Sequence, residues 1–180
     1  MASENLSTID EQSSLSESEE SIIFEEDKII VEVELVEPLN KYPEKATPLA
    51  AGFDVRANQR KDGRPWFIKP FDSKKIFTGL KIRMPEGIYG EIFLRSSVSL
   101  NKCLALRSTA IIDNDFISEI ILNVHNTSGT LRSILGGERF AQIIFKKSLP
   151  IKLVPSYTPF EICNRQKSIP HKGFGSTGKF

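Results

Sequence analysis

Polar and apolar residues alternate with a period of two along much of the chain. Val31, Val33 and Leu35 alternate with Glu32 and Glu34, and Leu80, Ile82 and Met84 alternate with Lys81 and Arg83. Ile120, Leu122 and Val124 are separated by Ile121 and Asn123. Successive side chains of a strand point to opposite faces, so these stretches predict half-buried strands. Pro85-Glu86-Gly87 predicts a turn between strands over 81–84 and 89–94. Residues 140–145 predict another apolar strand, entered through Gly136-Gly137. Asp62-Gly63 predicts a hairpin tip across residues 59–66. No long segment repeats every 3.6 residues; one short helix is expected somewhere within 127–134. Many short strands punctuated by turns imply an all-β barrel or sandwich. There is no internal repeat.

Charge divides the chain in two. Residues 1–27 hold nine acids and no Lys or Arg, and they are rich in Ser and Glu. Such a segment buries too little apolar surface to offset its ordering entropy, so it is expected to be a disordered acidic tail. The rest, residues 28–180, keeps 14 of the 23 acids against all 24 bases, a balance of +10. That balance suits an anionic ligand. A nucleic-acid-binding barrel would need aromatics interleaved with its cations, and only Trp66 is so placed; nucleic acid is not the expected partner. No apolar run approaches the roughly 18 residues of a membrane span, so no membrane partner is expected. The acidic N-terminus resembles neither a signal peptide nor a transit peptide. Cys103 and Cys163 make neither a disulfide framework nor a metal cluster and read as packing residues in a reducing compartment. The expected location is intracellular, cytoplasmic or nuclear, and not secreted.

Several short motifs carry candidate chemistry. Gly173-Phe174-Gly175-Ser176-Thr177-Gly178 combines glycines that let backbone N–H groups approach phosphate, two hydroxyls and an aromatic able to stack on a base. Arg95-Ser96-Ser97 ends a predicted strand with a planar cationic fork and two hydroxyls. Ile111-Ile112-Asp113-Asn114-Asp115-Phe116 reads as a hairpin turn, or as a carboxylate stationed as general base toward water. Gly137-Glu138-Arg139-Phe140-Ala141-Gln142 adds an Arg and a Gln that could reach phosphates.

Taken in order, Ala51-Gly52-Phe53-Asp54-Val55, Arg95-Ser96-Ser97, Ile112–Phe116, Gly137–Gln142 and the 173–178 tail resemble the five ordered motifs of the trimeric dUTP pyrophosphatase (dUTPase) family. The resemblance covers about residues 29–178. It implies a jelly-roll-like β subunit that forms a homotrimer with shared active sites. It also implies a C-terminal arm, about 165–180, reaching a neighbour's site. The implied reaction is dUTP plus water to dUMP and diphosphate, with Mg²⁺ as cofactor held by the triphosphate and water rather than by a protein cage. By the resemblance Asp113 is the general base, Ser96 stabilises charge near the α–β bridge, and Arg95 and Gln142 organise the phosphates, with Ser97 beside them. The backbone of Ala110, Ile111 and Ile112, with Ile121 opposite, would read uracil, and Phe116 would pack under deoxyribose. Phe174 would stack on uracil, with Gly175, Ser176 and Thr177 on phosphates. Asp54 and Arg139 are implied supporting charges.

The sequence departs from the family pattern at Leu94 (for Pro), Ser97 and Ala110 (each for Gly) and Glu138 (for Asp). Ile169-Pro170-His171-Lys172 stands where Arg-Gly-Ser-Gly is usual. Two alternatives stay open at this point. One is a dUTPase-derived regulatory or interaction protein with little catalysis. The other is a dCTP deaminase-like enzyme, whose required Glu is replaced here by Asn123.

Overall fold

The structure, a computed structural model, describes residues 28–36 and 40–156. Twelve strands and one helix follow in order: β1 Glu32–Leu35, β2 Glu44–Lys45, β3 Phe53–Arg56, β4 Trp66–Ile68, β5 Ser73–Phe77, β6 Leu80–Arg83, β7 Ile88–Leu94, α1 Ser96–Lys102, β8 Leu104–Leu106, β9 Ala110–Ile112, β10 Ile121–Asn126, β11 Arg132–Ile134 and β12 Arg139–Lys147. The fold is all-β, as the period-two pattern implies. Every strand pairing is antiparallel. The largest sheet runs β2-β3-β12-β7-β9; smaller ones are β5-β10-β8, β1-β6 and β11-β4.

The buried positions are those the alternation singled out. Leu80, Ile82, Leu122 and Val124 are buried, as is Ile120 just before β10, while Arg83, Ile121 and Asn123 face outward. Ile92, Ile143, Val55 and Phe140 bring the large sheet into the same core. Burying an aliphatic or aromatic side chain of this size contributes about 1.5–3 kcal/mol.

Two expected elements differ. The helix lies at Ser96–Lys102, not within 127–134, where β11 ends the segment instead. Asn126 explains the difference. Its buried amide donates to the carbonyls of Ile68, Lys69 and Thr130, and its Oδ1 accepts from both the N–H and the hydroxyl of Ser128. A side chain that captures nearby backbone groups in this way competes with helix formation. The real helix went unseen because it buries only Val98 and so has no apolar stripe. Second, residues 59–66 make the turn but not a hairpin. Gly63 has φ +69° and its N–H donates to the Arg60 carbonyl at 2.9 Å, yet β3 pairs with β2 and β12 while β4 pairs with β11. The loop is a crossover between sheets. Trp66 closes it, donating Nε1–H to the Asn58 carbonyl at 2.8 Å beneath the Arg60 guanidinium.

Residues up to Ser148 form one unit. Residues 149–156 begin a second and contain no helix or strand, with Leu149, Ile151 and Leu153 all exposed.

Candidate active site

The first cluster of candidate residues is built by the register of three adjacent strands. Asp54 on β3 lies opposite Gln142 on β12, and Gln142 lies opposite Phe93 on β7. Gly52 lets the two outer motifs close up. A Cβ there would stand 3.2 Å from the Ile143 carbonyl oxygen and 3.4 Å from Gln142 Oε1, tighter than or at the edge of ordinary contact. The Asp54 carboxylate is only 6% exposed, and it is shared by two guanidinium groups. Arg95 Nε lies 3.1 Å from Oδ1, and Arg139 donates from a terminal nitrogen to Oδ2 at 3.2 Å. A carboxylate this buried must be paired to remain charged, and here it orients two forks at once. Both arginines stay partly exposed, so their other N–H donors remain available to an anion.

Arg95 also caps α1. Its own N–H donates to the Phe140 carbonyl at 3.0 Å, and its carbonyl accepts from the N–H groups of Val98 and Ser99. Ser96 and Ser97 are therefore the first two residues of the helix, both exposed. The N–H groups of a first turn have no partner within the helix. Arg95, Arg139 and Gln142 thus meet around Asp54, and Ser96 and Ser97 follow Arg95 into the first turn of α1.

The second cluster sits elsewhere. Ala110, Ile111 and Ile112 form β9, paired with β7 so that Ile112 faces Gly90 and Ala110 faces Ile92. Asp113 follows, exposed, in a turn closed by the Phe116 N–H donating to its carbonyl at 3.1 Å. Phe116 is 38% exposed and Ile111 57%. Ile121 is paired with Phe77 on β5; no rung joins it to β9 among the described pairings. Asp113 lies beyond the Gly90 end of β7, whereas Arg95 follows its opposite end, five residues on. At about 3.3 Å per residue this is roughly 16 Å along the strand. Groups that react together must come within about 3–3.5 Å, so Asp113 and Ser96 of one chain are too far apart to act on one atom. Phe174, Gly175, Ser176 and Thr177 lie outside the described residues.

Sequence reading missed Lys102, which joins α1 to the turn before β12. A lone Lys at a short helix end carries no motif signal. It also missed that Glu138 receives this lysine.

The family model for dUTPase matches residues 40–178. The chain belongs to the dUTPase family. Among curated dUTPase relatives, the deoxyuridine 5'-triphosphate nucleotidohydrolase of Fowlpox virus is 30% identical over 77% of this chain and 90% of its own length. That of Desulfitobacterium hafniense is 34% identical over 77% and 87%. Among solved structures, the Staphylococcus bacteriophage 80alpha dUTPase with dUPNHPP aligns at TM-score 0.69 and 21% identity, covering 83% of this chain and 99% of that one. A phage phi11 dUTPase structure, described as revealing the coordination of a structural Mg(II) ion, aligns at TM-score 0.63 and 19% identity over 72% and 97%. These structural likenesses place the fold among dUTPases.

Among the described residues no three His, Cys, Asp or Glu side chains gather as a metal cage. The exposed carboxylates of the second cluster, Asp113 and Asp115, follow one strand end. Asp113 and Asp115 are hard oxygen donors of the kind that suit a cation keeping most of its waters.

Proposed function

We propose that the chain hydrolyses dUTP to dUMP and diphosphate as a homotrimer whose active sites are shared between subunits. The observation that carries the reading is the Asp54-centred cluster: Arg95, Arg139 and Gln142, from motifs far apart in sequence, gather around one buried carboxylate with Ser96 next in the chain to Arg95, in a chain of the dUTPase family. Two cationic forks and a hydroxyl suit a triphosphate. The separation of Asp113 from this cluster along β7 supports a site completed by another copy. The exposed alternation of Leu149, Ile151 and Leu153 offers apolar surface for such assembly.

In this reading the Asp113 carboxylate takes a proton from the water that attacks the α-phosphorus. The α-phosphorus–bridging-oxygen bond breaks and diphosphate leaves. Ser96 donates to the bridge as negative charge grows there, while Arg95 and Gln142 hold the phosphate chain in line. The backbone of Ala110–Ile112 and Ile121 reads uracil, and Phe116 packs under the sugar, leaving no room for a 2′-hydroxyl. Phe174, Gly175, Ser176 and Thr177 close over base and phosphates. Mg²⁺ would be held by the triphosphate and water rather than by side chains, and would supply neutralisation of phosphate charge.

Steady-state diphosphate release from dUTP with Mg²⁺ tests the reading. Asp113→Asn should lower kcat by at least about a hundredfold, since removing one general base typically costs 10²–10⁴. Mixing Asp113→Asn with Ser96→Ala subunits should restore part of the activity, because some mixed trimers then hold one intact site. A wild-type rate no higher than that of Asp113→Asn would refute the hydrolase and leave the interaction-protein alternative.

A further inference from the structure

Helix α1 carries Ser96 and Ser97 at its first turn, yet little holds it by packing. Val98 is the one buried residue of its seven, and a free helix of that length is marginal in water. Its placement must come from its ends. The N-terminal end is fixed through Arg95, bonded to Phe140 and paired with Asp54. The other end is fixed by Lys102. Its ammonium donates to Glu138 Oε1 at 2.5 Å and to the Ser133 carbonyl on β11 at 3.0 Å. The second oxygen of Glu138 accepts the Leu135 N–H at 2.9 Å, and the Glu138 carbonyl accepts the Ala57 N–H at 2.9 Å. Glu138 is thus built into the turn that delivers Arg139 and Gln142 to the site. A positive side chain in the last turn also suits the helix dipole.

We propose that Lys102 is a positioning residue for dUTP hydrolysis, acting through Glu138 to set α1, and with it Ser96, against Arg139 and Gln142; the inference rests on the hydrolase reading above. The Cys103 carbonyl is separately held by the N–H and hydroxyl of Thr127, so loss of the lysine leaves the chain path intact and alters only the tilt of the helix. Uracil and sugar are recognised at the β9 cluster, away from α1. A tilted α1 therefore spoils charge stabilisation at the bridging oxygen more than it spoils binding.

The test is steady-state dUTP hydrolysis and thermal melting of the full chain as wild type, Lys102→Met, Lys102→Arg, Glu138→Gln and Lys102→Met/Glu138→Gln. Misplacing a catalytic group by about 1 Å can cost up to 10²-fold. Lys102→Met is expected to lower kcat at least about tenfold with KM within about twofold, measured well below its melting temperature. Lys102→Arg should recover most of that kcat, and the double variant should be no slower than the worse single one. If Lys102→Met does not fold, Glu138→Gln carries the same kcat expectation. Unchanged kcat with a lowered melting temperature overturns the inference and leaves a structural tie only. Losses that multiply in the double variant overturn the pairing. A wild type without turnover removes the hydrolase reading and the inference with it, which separates that failure from the others.

Discussion

Asp54→Asn is the sharpest test of the clustered site. The carboxylate is 6% exposed and faces a guanidinium on each oxygen, at 3.1 and 3.2 Å. Asparagine keeps the size and one acceptor, but it must turn its NH₂ toward the other arginine, setting donor against donor. Removing one partner of a fully buried pair costs about 3–5 kcal/mol. Here the arginine side chains are 28% and 45% exposed, so water recovers part of that loss. The expected destabilisation is about 2–3 kcal/mol. For a domain of this size that is a fall in Tm of roughly 4–12 °C. Urea melts should be run at one protein concentration, because the proposed assembly would make the midpoint concentration-dependent. The loss should persist in 0.5 M salt, since a buried carboxylate is weakly screened. Freed of its anchor, Arg95 loses its aim, and kcat/KM should fall at least tenfold. A variant within 0.5 kcal/mol of wild type with unchanged kcat/KM would refute the argument that Asp54 organises both forks.

Gly52→Ala forces a methyl to 3.2 Å from the Ile143 carbonyl and the Ile144 side chain. Crowding of this kind costs about 1–3 kcal/mol, read from urea midpoints, and by displacing Gln142 it should also lower kcat. Cys103 closes α1 in the left-handed region at φ 50°, ψ 45°, where a side chain is strained. Cys103→Gly should raise stability by roughly 0.5–1 kcal/mol, the strain relieved less the glycine's extra unfolded entropy. On β7 and β12, Lys146 and then Tyr89 hold the Glu91 carboxyl below its ordinary value of 4.5, while Glu91 holds the Lys146 ammonium above its ordinary 10.5. A depressed acid stabilises above its unfolded pKa and fades as pH falls through the folded one. A raised base stabilises below its unfolded pKa and fades as pH rises through the folded one. The stability difference between wild type and Glu91→Gln should therefore be flat between those two values and shrink beyond each, as denaturant melts across pH would show.

The parts of this fold that were legible in sequence are those where one face meets the core. Leu80, Ile82, Leu122 and Val124 alternate with outward residues, and a one-residue slip would expose all of them, so their strands could be read directly. What could not be read is pairing. The turn at Asp62-Gly63 is local and visible, but whether β4 returns to β3 or crosses to β11 is decided by partners some 66 residues away. The helix was invisible for a related reason: its order comes from Arg95, Asp54 and Lys102 at its ends, not from a stripe along it.

The candidate site divides the same way. Residue types announced themselves, because Arg, Ser and Asp fall in the motif order on which the dUTPase resemblance rests. Their grouping did not. Only the register shows that Asp54, Arg95, Arg139 and Gln142 share one end of the large sheet while Asp113 follows the far end of β7. A sequence lists all five motifs as if they served one site in one chain. The strand length, roughly 16 Å between the two clusters, is why the proposed function demands a second copy. The mixed-subunit assay reads that demand directly: activity regained from two inactive variants can arise only where Asp113 and Ser96 come from different chains.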